Sequence, residues 1–173
     1  MSLDRRARLA LTLLLAIYGM RILLHPDGGS LMDLVDLPIH ETGHLVFAPF
    51  GEFLQFAGGT LFQLIMPAAF IVYFAKREDS HAASVGLWWV AQNFWNISVY
   101  VRDARAQALP LVGGGEHDWA YMLGRLGLLR QDEAIGRAVW FVGAVVYAAA
   151  ILWGLVSLAK PQAAETADLP GTA

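Results

Sequence analysis

His40-Glu41-Thr42-Gly43-His44 is an H-E-x-x-H sequence. Residues four apart on an α-helix differ by about 40° in direction, so both imidazoles face one point and can share a metal ion. Glu41 stands beside them, placed to take a proton from a water that the metal activates. The motif lies in an otherwise apolar stretch, 31–50, where ionisable side chains are expensive and usually functional. The same stretch carries Asp33 and Asp36. Asp33, Asp36, His40 and His44 follow one another at spacings of three and four and share a face. Either aspartate is therefore a candidate to orient an imidazole.

Two histidines do not complete a catalytic metal site, which takes three protein ligands and an open position. The chain has no cysteine, so the third ligand must be a further His, Asp or Glu. Three residues qualify: Asp103, His117 and Asp118. Asn96 and Asp103 are seven apart, hence on one helix face, which puts Asp103 first. His117 and Asp118 follow the Gly113-Gly114-Gly115 turn, which can fold back, and stay as alternatives. Histidine and carboxylate ligands suit zinc, one ion per chain.

The elements that position these residues are membrane-like. Of 173 residues, 57% are apolar and only 16% charged, against about 25% charged in an ordinary soluble domain. Mean hydropathy is +0.48. That excludes a disordered chain, and a net charge of −3 gives no basic surface for nucleic acid. The expected fold is all-α: a polytopic integral membrane protein in the lipid bilayer. One domain covers 1–159, with about five spans over 9–24, 31–50, 53–75, 82–101 and 138–158. The 102–137 stretch reads as a cytoplasmic loop, its apolar run 119–129 too short to cross. Residues 160–173 read as a disordered tail. Pro38 either kinks the second segment or opens a new helix, Pro49 ends it, and Pro67 kinks the third. Arg5, Arg6 and Arg8 place the N-terminus in the cytoplasm, and five crossings then leave the C-terminus outside.

The chain resembles the site-2 protease family of intramembrane zinc metalloproteases. In that family one transmembrane helix carries H-E-x-x-H, the next G-x-x-x-N, and a third an Asn-containing segment ending in Leu-Asp-Gly, whose Asp is the third ligand. Here the first motif is His40–His44. Gly59-Thr60-Leu61-Phe62-Gln63 stands for the second, with Gln63 in place of Asn. Asn96 and Asp103 stand for the third, with Ala104 after Asp103 in place of Gly. The likeness covers roughly 31–104, a three-helix core. It implies a membrane-embedded zinc endopeptidase acting on membrane-protein substrates. Glu41 would be the general base, His40, His44 and Asp103 the ligands, and Gln63 or Asn96 would hold the substrate backbone. The alternative is a non-proteolytic metal-binding membrane protein, a transporter or a sensor, since buried His and Asp handle ions as well as they hydrolyse.

Overall fold

In a bilayer a chain must satisfy its own backbone polar groups, and a helix does so within one segment. The computed structural model describes residues 3–111 and 115–159, and all regular structure among them is helical. Six α-helices follow in order: α1 (Leu3–Leu24), α2 (Asp33–Phe47), α3 (Glu52–Lys76), α4 (Ser80–Arg102), α5 (Asp118–Arg125) and α6 (Asp132–Ala159). Gly113, Gly114 and the tail segment 160–173 lie outside the described residues.

Among the described residues, three helical stretches are long and apolar enough to cross a membrane: Asp4–Leu24, Glu52–Lys76 and Leu129–Ala159. They turn large apolar side chains outward, among them Leu14, Ile17, Ile65, Val72, Phe141 and Leu152. The other two expected spans differ for separate reasons. α2 has 15 residues, about 22 Å at 1.5 Å per residue, which is short of a 30 Å hydrocarbon core. α4 has 23 residues but is the enclosed helix, packed on α1, α3 and α6. Its buried face carries His81, Ser84, Gln92, Asn93 and Ser98. It is polar because its neighbours, not lipid, surround it.

α2 runs unbroken through Pro38, so that proline does not open a new helix. Pro38 has no N–H for the Leu34 carbonyl, and its own carbonyl accepts from the Thr42 hydroxyl at 2.7 Å. Pro49 sits in the 3₁₀ turn Ala48–Phe50 that ends the helix. Pro67 is buried inside α3.

Helix directions follow from the pairs. Arg8 meets Asp79 at 2.9 Å, Thr12 meets His81 at 3.0 Å, and Trp88 donates to Leu15 O at 2.9 Å. α1 and α4 are therefore parallel. α6 is antiparallel to both: Arg105 binds Asp132, Trp95 donates to Trp140 O, and Tyr147 donates to Ala16 O. α2 is antiparallel to α3, with His44 against Gln55 and His40 against Gln63. α3 is antiparallel to α4, with Gln63 against Asn96 and Phe70 against Trp89. Hence α2 runs the same way as α1 and does not return across the bundle.

The expected orientation finds no support in this arrangement. The N-terminal half of α1 and the C-terminal half of α6 lie at one end, where Gly154 meets Thr12, so the two ends of the bundle do not separate the termini. Arg8 lies at that end, and Arg102 and Arg105 at the other. Lysine and arginine thus stand at both ends, and their distribution no longer selects a cytoplasmic face.

Candidate metal centre

The H-E-x-x-H residues sit on α2 as their spacing requires, with the two imidazole centroids 4.8 Å apart. α2 comes close to α3 because Gly43 faces Gly58. A Cβ on Gly43 would overlap the Gly58 carbonyl, and one on Gly58 would stand 2.5 Å from Gly43 O. Gly59 forms the wall behind His40, where a Cβ would come 2.5 Å from Nε2 of that ring. Both marked residues of the G-x-x-x-Q segment therefore touch His40, Gly59 by lacking a side chain and Gln63 by a 3.1 Å bond to Nδ1.

That bond belongs to a chain with a fixed direction. Asp33 as a carboxylate can only accept. Asn96 presents its NH₂ to Asp33 Oδ1 at 3.0 Å, so its oxygen is left to accept from Gln63 Nε2 at 2.8 Å. Gln63 Oε1 then accepts from His40 Nδ1–H. The polarity set at Asp33 thus leaves His40 Nε2 with its lone pair free. His44 reaches the same state differently, by donating Nδ1–H to Gln55 O at 2.8 Å. Fixing one ring nitrogen as donor orients the other for a metal.

The third group is Asp118. His40 Nε2 lies 3.0 Å and His44 Nε2 3.4 Å from its Oδ2. Ligand atoms from these three residues lie within 4.8 Å of one another and could hold a metal ion. Bonds of about 2 Å at tetrahedral angles set ligand atoms about 3.3 Å apart, so the spacing fits. The donor set fits as well. Two imidazole lone pairs and a carboxylate oxygen repel at such distances unless positive charge stands among them, and one proton can serve only one pair. Asp118 would bind a metal as its carboxylate.

Asp103, ranked first on helix facing, is not brought to this cluster. Its carboxylate accepts from the Ala108 and Leu109 N–H groups at 2.9 and 3.0 Å, fastening the loop after α4. The physical reason is that α4 ends at Arg102, so Asp103 turns into the loop it begins. His117 is not brought to the cluster either. It is fully buried and caps α5, its Nδ1 accepting from Ala120 N at 3.3 Å, while Nε2 faces Asp103 Oδ2 at 3.4 Å. Burial holds its imidazole below the ordinary value, hence neutral. Asp103 and His117 together set the start of α5, and so the position of Asp118.

Gln63 and Asn96 were expected to hold a substrate backbone. Both ends of both amides are instead engaged in the chain to His40. The aspartates expected to orient an imidazole divide: Asp33 does so through two amides, and Asp36 accepts from Trp89 Nε1 at 2.7 Å. Glu41 has no hydrogen-bonded partner among the described residues and lines the same cavity, about 610 Å³, as His40, His44 and Asp118. Two contributors went unread in the sequence. Tyr100 lines the cavity, and its hydroxyl accepts from Asp118 N at 3.4 Å; its place one turn after Asn96 was the available signal. Gln55 acts through its backbone carbonyl, which no side-chain pattern reveals.

No protein-family model matches the chain, and neither the curated proteins nor the solved structures contain a match.

Proposed function

We propose that the chain is a membrane-embedded zinc metalloprotease, similar in plan to the site-2 proteases, that hydrolyses peptide bonds of membrane-protein substrates. In the bilayer, α1, α3, α4 and α6 would cross and α2 would occupy one end of the bundle only. The observation that carries this reading is the convergence of His40, His44 and Asp118 in a cavity that Glu41 also lines.

A zinc ion held by His40, His44 and Asp118 supplies Lewis acidity toward the scissile carbonyl and acidifies water. The chain does the rest. Glu41 receives the proton of the attacking water on its carboxylate and passes it to the leaving amine nitrogen. Asp33, Asn96 and Gln63 keep His40 Nε2 unprotonated. The Tyr100 O–H faces the cavity beside Asp118, where it can donate to the substrate oxygen as negative charge develops there.

Elemental mass spectrometry on detergent-purified protein tests the centre. About one zinc per chain is expected, lost in His40→Ala and Asp118→Ala and kept in Asp103→Ala and His117→Ala. Wild type free of metal after zinc is supplied would overturn the proposal. Glu41→Gln should bind zinc and cleave nothing. A Glu41→Gln protein that cleaves an identified substrate at the wild-type rate would sink the hydrolytic mechanism. A wild type that binds zinc and moves it into vesicles without proteolysis would establish the transporter reading instead.

A further inference from the structure

The cavity is charged on one side only. Among the described residues its lining includes the carboxylates of Asp27, Asp33, Asp36, Glu41, Glu116 and Asp118, and no lysine or arginine. Two of those six charges would be balanced by a divalent ion at His40, His44 and Asp118. A third is balanced by Arg102, which holds Asp27 at 2.7 Å from outside the cavity. A net of three remains uncompensated over four residues, Glu116, Glu41, Asp33 and Asp36. They are spread along the cavity: Glu116 is exposed in the loop before α5, Glu41 stands beside the metal cluster, and Asp33 and Asp36 lie beyond it on α2. A buried acceptor adds to the field, since Gln92 Oε1, on a lining residue, has no hydrogen-bond partner. A cleft lined by one sign of charge with apolar walls focuses its field and concentrates ligands of the other sign.

We infer that the cavity takes a cationic polypeptide segment, one with lysine or arginine near the bond presented to the metal cluster, and rejects acidic segments. The inference rests on the peptidase reading in taking a peptide as the ligand. It also disfavours trimming from a C-terminus, because the lining among the described residues offers no lysine or arginine to hold a terminal carboxylate. Loop residues Pro26, Gly29, Ser30 and Leu109–Leu111 also line the cavity. A basic stretch at the edge of a transmembrane helix, where lysine and arginine gather, has the charge this cavity requires.

The test uses zinc-loaded, detergent-purified Glu41→Gln protein, which holds peptide without consuming it. Anisotropy compares a short fluorescein-labelled peptide containing several lysines with its counterpart bearing glutamate at those places. The lysine peptide should bind at least about tenfold tighter, and the preference should fall as salt rises. Glu116→Lys should narrow the preference by about fivefold or more. Glu116 is exposed, so the fold should survive, and unchanged circular dichroism and zinc content would show it. Glu78→Gln, in the loop at the opposite end, should change nothing. Equal binding of the two peptides, tighter binding of the glutamate peptide, or an unchanged preference in Glu116→Lys would overturn the inference. A protein that prefers the lysine peptide yet cleaves no peptide as wild type would keep the inference and remove the peptidase reading.

Discussion

The two halves of the bundle satisfy their polar groups in opposite ways. Where α1, α4 and α6 meet, the side-chain pairs Arg8–Asp79, Thr12–His81 and Arg105–Asp132 lie toward the ends, and between them side-chain donors close on backbone carbonyls: Trp88 on Leu15, Trp95 on Trp140, Trp140 on Leu23 and Tyr147 on Ala16, at 2.6 to 3.2 Å. Each of the four is a closed pair. Where α2, α3, α4 and α5 meet, side chains bond side chains, from Asp33 through Asn96 and Gln63 to His40. Such networks are the minority of protein hydrogen bonds. Here the chain is directional, and it ends on a lone pair aimed at Asp118 and His44. The first half is built to stay shut, the second to present unsatisfied electrons at one point.

The division can be broken most sharply at the cluster. Asp118→Asn should lower zinc affinity by more than about a hundredfold, beyond what loss of an outer partner costs, while Asp103→Asn stays within tenfold; competition with a zinc-sensitive dye reads both. Next comes the seam between α2 and α3. Gly43→Ala places a methyl group on the Gly58 carbonyl and should cost about 1–3 kcal/mol, seen as a lower Tm, with zinc lost as α2 shifts. Breaking the relay at its source is milder. Asp33→Asn can offer Asn96 an NH₂ and reverse the polarity, so zinc affinity should fall about 10–100-fold with helix content unchanged.

The closed half should behave independently. Tyr147→Phe removes its bond to Ala16 O and should cost about 1 kcal/mol without touching zinc affinity. The smallest effect lies at Asp79. Burial works to raise its carboxyl, but the Ala82 N–H and the Arg8 guanidinium outweigh it, so its pKa falls below the ordinary 3.8. A depressed carboxyl stabilises the fold above its unfolded pKa and loses that stabilisation as pH falls through the folded value. Wild type should therefore lose about 0.5 kcal/mol more than Asp79→Asn on acidification below about pH 4, measured by thermal melts.

The H-E-x-x-H pair was legible because helix geometry alone converts a spacing of four into a shared point. The helical class was legible from apolar run length. The third ligand was harder. Asp103 and Asp118 are both carboxylates after α4, and choosing between them needs the course of the loop, which depends on Asp103 fastening Ala108 and Leu109. Span counting could not separate α2 and α4 from the other apolar segments: α2 is short, and α4 is polar where its neighbours enclose it, whereas hydropathy records what a residue prefers and not what encloses it. His40 and Asp36 look costly in lipid until Gln63 and Trp89 are placed beside them. Orientation rested on the span count, since one helix that does not cross would exchange the sides of everything after it.

Asp118 follows His40 by 78 positions in the chain. At a synthesis rate of about 5–20 residues per second, the last ligand leaves the ribosome several seconds after the first. Until then the nascent helices hold two histidines and a base but no complete centre. On the proposed reading, the centre stays incomplete while α1 to α4 are being inserted and is completed only once α5 has emerged.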